Sequence, residues 1–153
     1  MEIPDSPGTY VIVALLYKET LLELKTFGNY WMPAGVYFYC GSACGPGGLK
    51  ARVGRHLRKG TKKFWHFDHL KDLVDIKQVW WQPGRQNNEC LFAQSIAARE
   101  GITIPVPGFG ASDCHNGCPA HLLHYAESSS MDRLFHVLRA EYGNFQRKIV
   151  KHK

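Results

Sequence analysis

The sequence predicts an α/β (α+β) fold: a small, mainly antiparallel central sheet flanked by helices. Three observations carry that expectation. Runs of β-branched and aromatic residues follow one another early in the chain with short connections, which suits antiparallel neighbours. Later segments switch to apolar residues spaced three and four apart, the helical period. A length of 153 residues, with 44% hydrophobic and 21% charged, suits one domain with its own core.

Residues 9–16 (TYVIVALL) and 20–26 (TLLELKT) read as two strands joined at Tyr17-Lys18-Glu19 in a hairpin. After a turn at Gly28 and Asn29, residues 35–41 (GVYFYCG) form a third strand, so a meander is expected. The run from Cys44 to Gly48 is a corner in which Pro46 suits the mouth of a helix. From about 48 to 58, Leu49, Val53 and Leu57 recur every four positions and lay one stripe against the sheet, while Arg52 and His56 share an adjacent stripe. Residues 64–72 read as a short helix or loop carrying aromatics, and 74–82 as a strand. Asn87 and Asn88 cap a helix running to about Arg99. Pro105, Pro107 and Pro119, with Gly101, Gly108, Gly110 and Gly117, make 101–120 mostly loop. Residues 121–126 suit a short last strand. Ser130 opens and Gly143 stops a terminal helix with Leu134, Val137 and Leu138 inward. The expected organisation is residues 1–126 carrying the sheet and the chemistry, with the helix and basic tail of 127–153 packed on the same domain.

The formal net charge is +6, which favours an anionic partner. Its distribution is more informative than its sum. Lys50, Arg52, Arg55, Arg58, Lys59, Lys62 and Lys63 follow one another with no acid between them, a candidate surface for DNA or another structured nucleic acid. Arg147, Lys148, Lys151 and Lys153 form a second basic cluster. The first residues lack a basic segment leading into an apolar run, so no signal peptide is expected. No apolar run approaches the roughly 20 residues that span a bilayer, so no membrane partner is expected. The odd count of five cysteines argues against a closed disulfide framework. Together these point to a reducing, cytoplasmic setting.

Gly8-Thr9-Tyr10 opens one apolar run and Tyr39-Cys40-Gly41 closes another; Arg52-x-x-x-His56 and then Glu89 follow. That ordered set resembles the GIY-YIG nuclease superfamily. Residues 35–58, 64–70, the Glu89-Cys90 pair, and 108–114 followed by Cys118 and His121 resemble its small archaeal and bacterial branch. That branch was once labelled a domain of unknown function, and its members sometimes accompany a base-excision glycosylase. The resemblance implies a small sheet flanked by helices, a DNA substrate, and one divalent cation, Mg²⁺ or Mn²⁺, held chiefly by Glu89. A DNA-repair enzyme is an implied partner.

The residue types suit that chemistry. Phosphodiester hydrolysis needs a deprotonated water in line with the leaving oxygen and neutralisation of added negative charge. Glu89 offers a hard carboxylate ligand. Arg52 offers a planar, permanently charged fork for phosphate oxygens. Tyr39 is the preferred base, with Tyr10 positioning the phosphate, although the two could exchange roles. An ordinary phenol, with a pKa of about 10, needs nearby cations to serve as a base. His56 can relay that proton or bind phosphate. Two departures from the resemblance stand out: Ser42 occupies a position where many members carry lysine, and the interval from Tyr10 to Tyr39 is long, as if it held an extra strand.

Two further clusters have competing readings. His66 and Asp68, with Trp65 or Phe67 stacking on a base, could border the phosphate cleft. The favoured reading is an aromatic plug with Asp68 as a cap or ion-pair partner. Cys114-x₃-Cys118-x₂-His121 has zinc-ligand types, and Cys90 could complete the set. Related sequences show tighter cysteine spacing, so reduced, partly buried thiols are favoured over zinc. Cys40 reads as core filler. The rival functions are a non-catalytic nucleic-acid-binding module and a zinc-stabilised interaction domain of a repair complex.

Overall fold

The computed structural model describes residues 2–25, 28–58, 66–111, 114, 116–127 and 130–151. In chain order the elements are β1 (Gly8–Leu16), β2 (Thr20–Leu24), β3 (Gly28–Met32), β4 (Gly35–Ala43), α1 (Gly48–Leu57), α2 (His66–Leu70), β5 (Asp75–Pro83), α3 (Glu89–Ala97), β6 (Leu122–Tyr125), α4 (Ser130–Tyr142) and β7 (Gln146–Ile149). A five-stranded sheet runs in the order β6-β4-β1-β5-β7, and β2 with β3 forms a separate two-stranded ribbon. Every strand pairing is antiparallel. The fold is α+β, as the sequence patterns predict.

The expected meander is corrected. β1 does not pair with β2; its neighbours are β4 and β5. Burial explains the choice. Along β1 every residue but Leu15 is buried, so both of its faces are covered, and both of its edges take long partners. β4 and β5 each supply nine residues, whereas β2 has five with Glu23 exposed. The ribbon accounts for the long interval between Tyr10 and Tyr39.

Side-chain alternation divides the core in two. Tyr10, Ile12 and Ala14 of β1, with Tyr37 and Tyr39 of β4, pack beneath α1 and α2 with Leu49, Val53, Phe67 and Leu70. Val11 and Val13, with Val36, Phe38 and Cys40, pack on the other face against Phe92, Ile96, Leu134 and Leu138 of α3 and α4. Cys40 is core filler, fully buried. Leu134 and Leu138 point inward as expected, joined by Phe135, while Val137 is half-buried.

A further strand follows the terminal helix where only a tail was expected. β7 pairs with β5, Gln78 facing Ile149 and Trp81 facing Gln146. Phe145, fully buried against Trp80, Phe92 and Phe135, anchors it. Arg147 lies over the Phe135 ring at 4.4 Å and pairs with Asp132. Among the described residues no helix is long and apolar enough to cross a membrane.

Candidate functional site

The two tyrosines meet because of strand register. Tyr10 faces Gly41 across the β1–β4 ladder, and Ile12 faces Tyr39. Residues two apart on one strand share a face, so Tyr10 and Tyr39 emerge together beneath α1. Gly41 is what lets them do so. A Cβ built there would meet the Tyr10 hydroxyl and lie 2.5 Å from its Cζ. Gly110 plays the same part for the other ring, where a Cβ would lie 2.9 Å from Tyr39 Cε1.

From α1, His56 Nε2 sits 2.8 Å from the Tyr10 hydroxyl, and its ring lies edge-on to Tyr39 at 5.7 Å. Arg52, one turn earlier, also hydrogen-bonds the Tyr10 hydroxyl. A guanidinium can only donate, so the Tyr10 oxygen accepts from Arg52, while the imidazole tautomer decides which way the proton between Tyr10 and Nε2 points. The neutral form follows from burial, which lowers the imidazole pKa to about 3; Arg52, Lys71 and Arg55 lower it further while Asp68 opposes them.

Glu89 enters from the opposite layer. Asn87 Oδ1 accepts from the Glu89 backbone N–H at 3.0 Å, the capping role expected of this pair. Asn88 is turned instead toward the sheet, donating its N–H to Thr9 Oγ1 and its amide to Gln82. These bonds tie the start of α3 to β1 and leave the Glu89 side chain 23% exposed. Burial raises both phenols well above the ordinary tyrosine value; the charge of Glu89 raises both further and Arg52 lowers both. The expected five residues, Tyr10, Tyr39, Arg52, His56 and Glu89, therefore share one electrostatic neighbourhood. Tyr10 is 1% exposed and Tyr39 8%, so Tyr39 is the more accessible phenol.

The basic helix divides into two kinds of residue. Lys50 and Arg58 are exposed. Arg52 and Arg55 line an open groove with Ala43, Pro46 and Ala51, but Arg55 is committed to Asp68 at 3.1 Å. Lys59, Lys62 and Lys63 lie outside the described residues, as does Trp65. The plug expected from 64–72 is there in part: Phe67 stacks on Tyr39 at 4.7 Å, and buried Asp68 also pairs with Lys71 at 3.3 Å. His66 Nδ1 accepts the Gly110 N–H at 2.9 Å. Phe109 and Lys71 around this site were not singled out by sequence, whereas Phe67 was, as one of two aromatics able to stack on a base.

Beside Glu89 lies a second constellation. The ligand atoms of Cys90, Cys114, Cys118 and His121 all fall within 4.8 Å of one another. Sequence reasoning weighed against this set, yet the chain brings all four together. Burial alone would lower the His121 imidazole pKa, but donation to the Glu89 carboxylate and the charge of Glu89, with Cys114, raise it.

An antiparallel α+β scaffold with a buried tyrosine pair, an arginine, a histidine and one carboxylate defines the class. The family described as domain of unknown function DUF123 matches residues 9–143, and the chain belongs to it. No curated protein and no solved structure matches the chain.

Proposed function

We propose that the protein is a metal-dependent endonuclease of GIY-YIG type that cleaves phosphodiester bonds of DNA. The observation that carries the reading is the bonding of Arg52, Tyr10 and His56 in one chain, with Tyr39 and Glu89 within its electrostatic reach. Arg52 carries a planar guanidinium and lies on a groove open to solvent. It is suited to hold two oxygens of a phosphodiester and neutralise charge added at phosphorus.

Tyr39, the more exposed phenol, orients the attacking water, and once its own proton has passed to solvent its phenolate accepts that water's proton. The water oxygen bonds to phosphorus as the bond to the leaving oxygen breaks, and the leaving alkoxide takes a proton from solvent. Tyr10 is locked by its bonds to Arg52 and neutral His56, so it fixes the guanidinium rather than moving a proton. Glu89, a part-exposed carboxylate within electrostatic reach of both phenols, offers a hard oxygen ligand that fits Mg²⁺ or Mn²⁺. Bound there, such an ion supplies Lewis acidity and a water of lowered pKa. Its positive charge would also reverse the raising effect that Glu89 exerts on Tyr39.

The test is incubation of the purified protein with nicked, flapped and branched DNA and Mn²⁺. Wild type is expected to cut at least one substrate, and Glu89→Gln to cut it at least about 100-fold more slowly. No product on any substrate, or equal cutting by the variant, removes the enzyme reading. The near-complete burial of Tyr10, together with Ser42 in place of a cation, favours one rival, a nucleic-acid-binding module without turnover. Salt-sensitive DNA binding that persists in Glu89→Gln, with no product from either protein, supports that rival.

A further inference from the structure

Among the described residues, Cys90, Cys114, Cys118 and His121 gather their ligand atoms beside the tyrosine site. Cys90 projects from the first turn of α3, the next two cysteines from the loop after it, and His121 from the residue before β6. Four ligands from three separate segments do not converge by helical or strand periodicity alone. Their separations carry the chemical meaning. Zinc–sulfur bonds of about 2.3 Å and zinc–nitrogen bonds of about 2.0 Å in a tetrahedron place neighbouring ligand atoms about 3.5–3.8 Å apart. Cys90 Sγ lies 3.4 Å from Cys114 Sγ and 3.7 Å from His121 Nε2.

The surroundings match a thiolate centre. The backbone N–H groups of Asn116 and Cys118 both point to the Cys114 sulfur, and Gly117 between them takes φ 74°, a left-handed turn that brings those amides round. Gln94 Nε2 donates to Cys118 Sγ at 3.5 Å. Donors of this kind stabilise negative charge on sulfur and stiffen the ligand loop. His121 is fixed on both sides, its carbonyl accepting from Cys40 N at 2.9 Å and its N–H reaching Phe109 O at 2.8 Å.

We propose that Cys90, Cys114, Cys118 and His121 bind one zinc ion in a tetrahedral Cys₃His site, and that this site positions Glu89. The link is His121 itself. Its Nε2 faces the cysteine cluster while its Nδ1 lies 3.3 Å from Glu89 Oε2. A metal on Nε2 leaves the proton on Nδ1; that N–H lies 3.3 Å from the carboxylate without being aligned on it, and a small turn of the Glu89 side chain completes the bond. The cluster is thus a structural centre whose outer hydrogen bond sets the angle at which Glu89 faces the phenols. Three thiolates and an imidazole select zinc over Mg²⁺ or Mn²⁺, which take oxygen ligands. The positioning half rests on the nuclease reading, whereas the zinc half does not.

Metal analysis of protein prepared under reducing conditions without chelator tests the first half. About one zinc per chain is expected. Reconstitution of zinc-stripped wild type with Co²⁺ should give the visible bands of a tetrahedral cobalt centre and thiolate charge transfer in the near ultraviolet. Cys118→Ser should lose most of the zinc, and the cobalt spectrum of wild type decides the matter even if that variant fails to fold. Substoichiometric zinc with no cobalt bands, or iron in its place, overturns the zinc assignment. For the second half, Mn²⁺ binding is followed by electron paramagnetic resonance in wild type and in His121→Cys, which keeps four metal ligands but has no N–H for Glu89. Retained zinc with Mn²⁺ affinity about 10-fold weaker is expected. Unchanged Mn²⁺ affinity in a variant that keeps zinc overturns the positioning role. Failure of zinc-loaded wild type to bind Mn²⁺ overturns the nuclease reading and the positioning role with it, and leaves the zinc assignment standing.

Discussion

At His56, burial lowers the imidazole pKa to about 3 from its ordinary 6.5, and the groups around the ring decide what the neutral form does. Tyr10 and Tyr39 face it from the sheet, Arg52 and Arg55 from its own helix, and Asp68 and Lys71 from α2 and the turn after it. Three of these are cations that repel an imidazolium, so the ring stays neutral and hydrogen-bonded to the Tyr10 hydroxyl. The consequence for stability has a definite sign. The unfolded chain binds a proton at His56 near pH 6.5 and the folded chain does not until about pH 3. Stability from this group is full above pH 6.5 and falls on acidification through that window, by on the order of 4 kcal/mol at its lower end. Urea unfolding between pH 7 and 4 should show wild type losing stability more steeply than His56→Gln. Parallel pH profiles for the two proteins would show that His56 does not titrate on unfolding.

The element that holds this arrangement together is α2, a helix of five residues. A helix that short does not persist on its own propensity. It is held by the Phe67 ring stacked on Tyr39, and by Asp68, which pairs with Arg55 at 3.1 Å and Lys71 at 3.3 Å. Lys71, 1% exposed, also donates to the Arg55 carbonyl at 3.1 Å. Removing the carboxylate takes from buried Lys71 and part-buried Arg55 the negative charge each pairs with. Asp68→Ala should therefore cost about 3–5 kcal/mol in urea unfolding, and Asp68→Leu combined with Lys71→Met should recover much of that loss. A cost below about 1 kcal/mol would place the pair among ordinary surface ion pairs. Elements of this kind mark where the sequence is readable. α1, β5, α3 and α4 lie where apolar spacing and capping residues put them, because each signal is local. The pairing of β1 was misread because adjacency along the chain favours β2, whereas double burial of β1 demands longer neighbours found far away. β7 was missed because Arg147 and Lys148 mask a strand whose anchor is a single residue, Phe145.

Across the whole molecule, the same distinction separates what was legible in the site from what was not. Tyr10, Tyr39, Arg52, His56 and Glu89 are picked out by residue type and order along the chain; the sheet register sets the two tyrosines on one face beneath α1, and Glu89 comes from the opposite layer. The Cys₃His cluster was undervalued because its geometry depends on a loop fold that spacing does not encode. Charge behaves similarly: the net value of +6 counts every cation alike, yet Arg55 is tied to Asp68, and Arg147 to Asp132 and Phe135. Such internally paired cations have less to offer a phosphate backbone. Among the described residues, Lys50 and Arg58, exposed at the two ends of α1, have no such commitment, and α1 covers the tyrosines. Lys148 belongs to the far edge strand, separated from β1 by β5. If DNA lies along α1, its affinity measured by fluorescence anisotropy should fall linearly with salt on logarithmic axes, each phosphate contact adding about 0.9 to the slope. Lys50→Gln and Arg58→Gln should each lower that slope by about one contact, across all DNA sequences alike. Lys148→Gln should leave it unchanged. A slope insensitive to both α1 variants but reduced by Lys148→Gln would move the nucleic acid to the β7 edge and away from the tyrosine site.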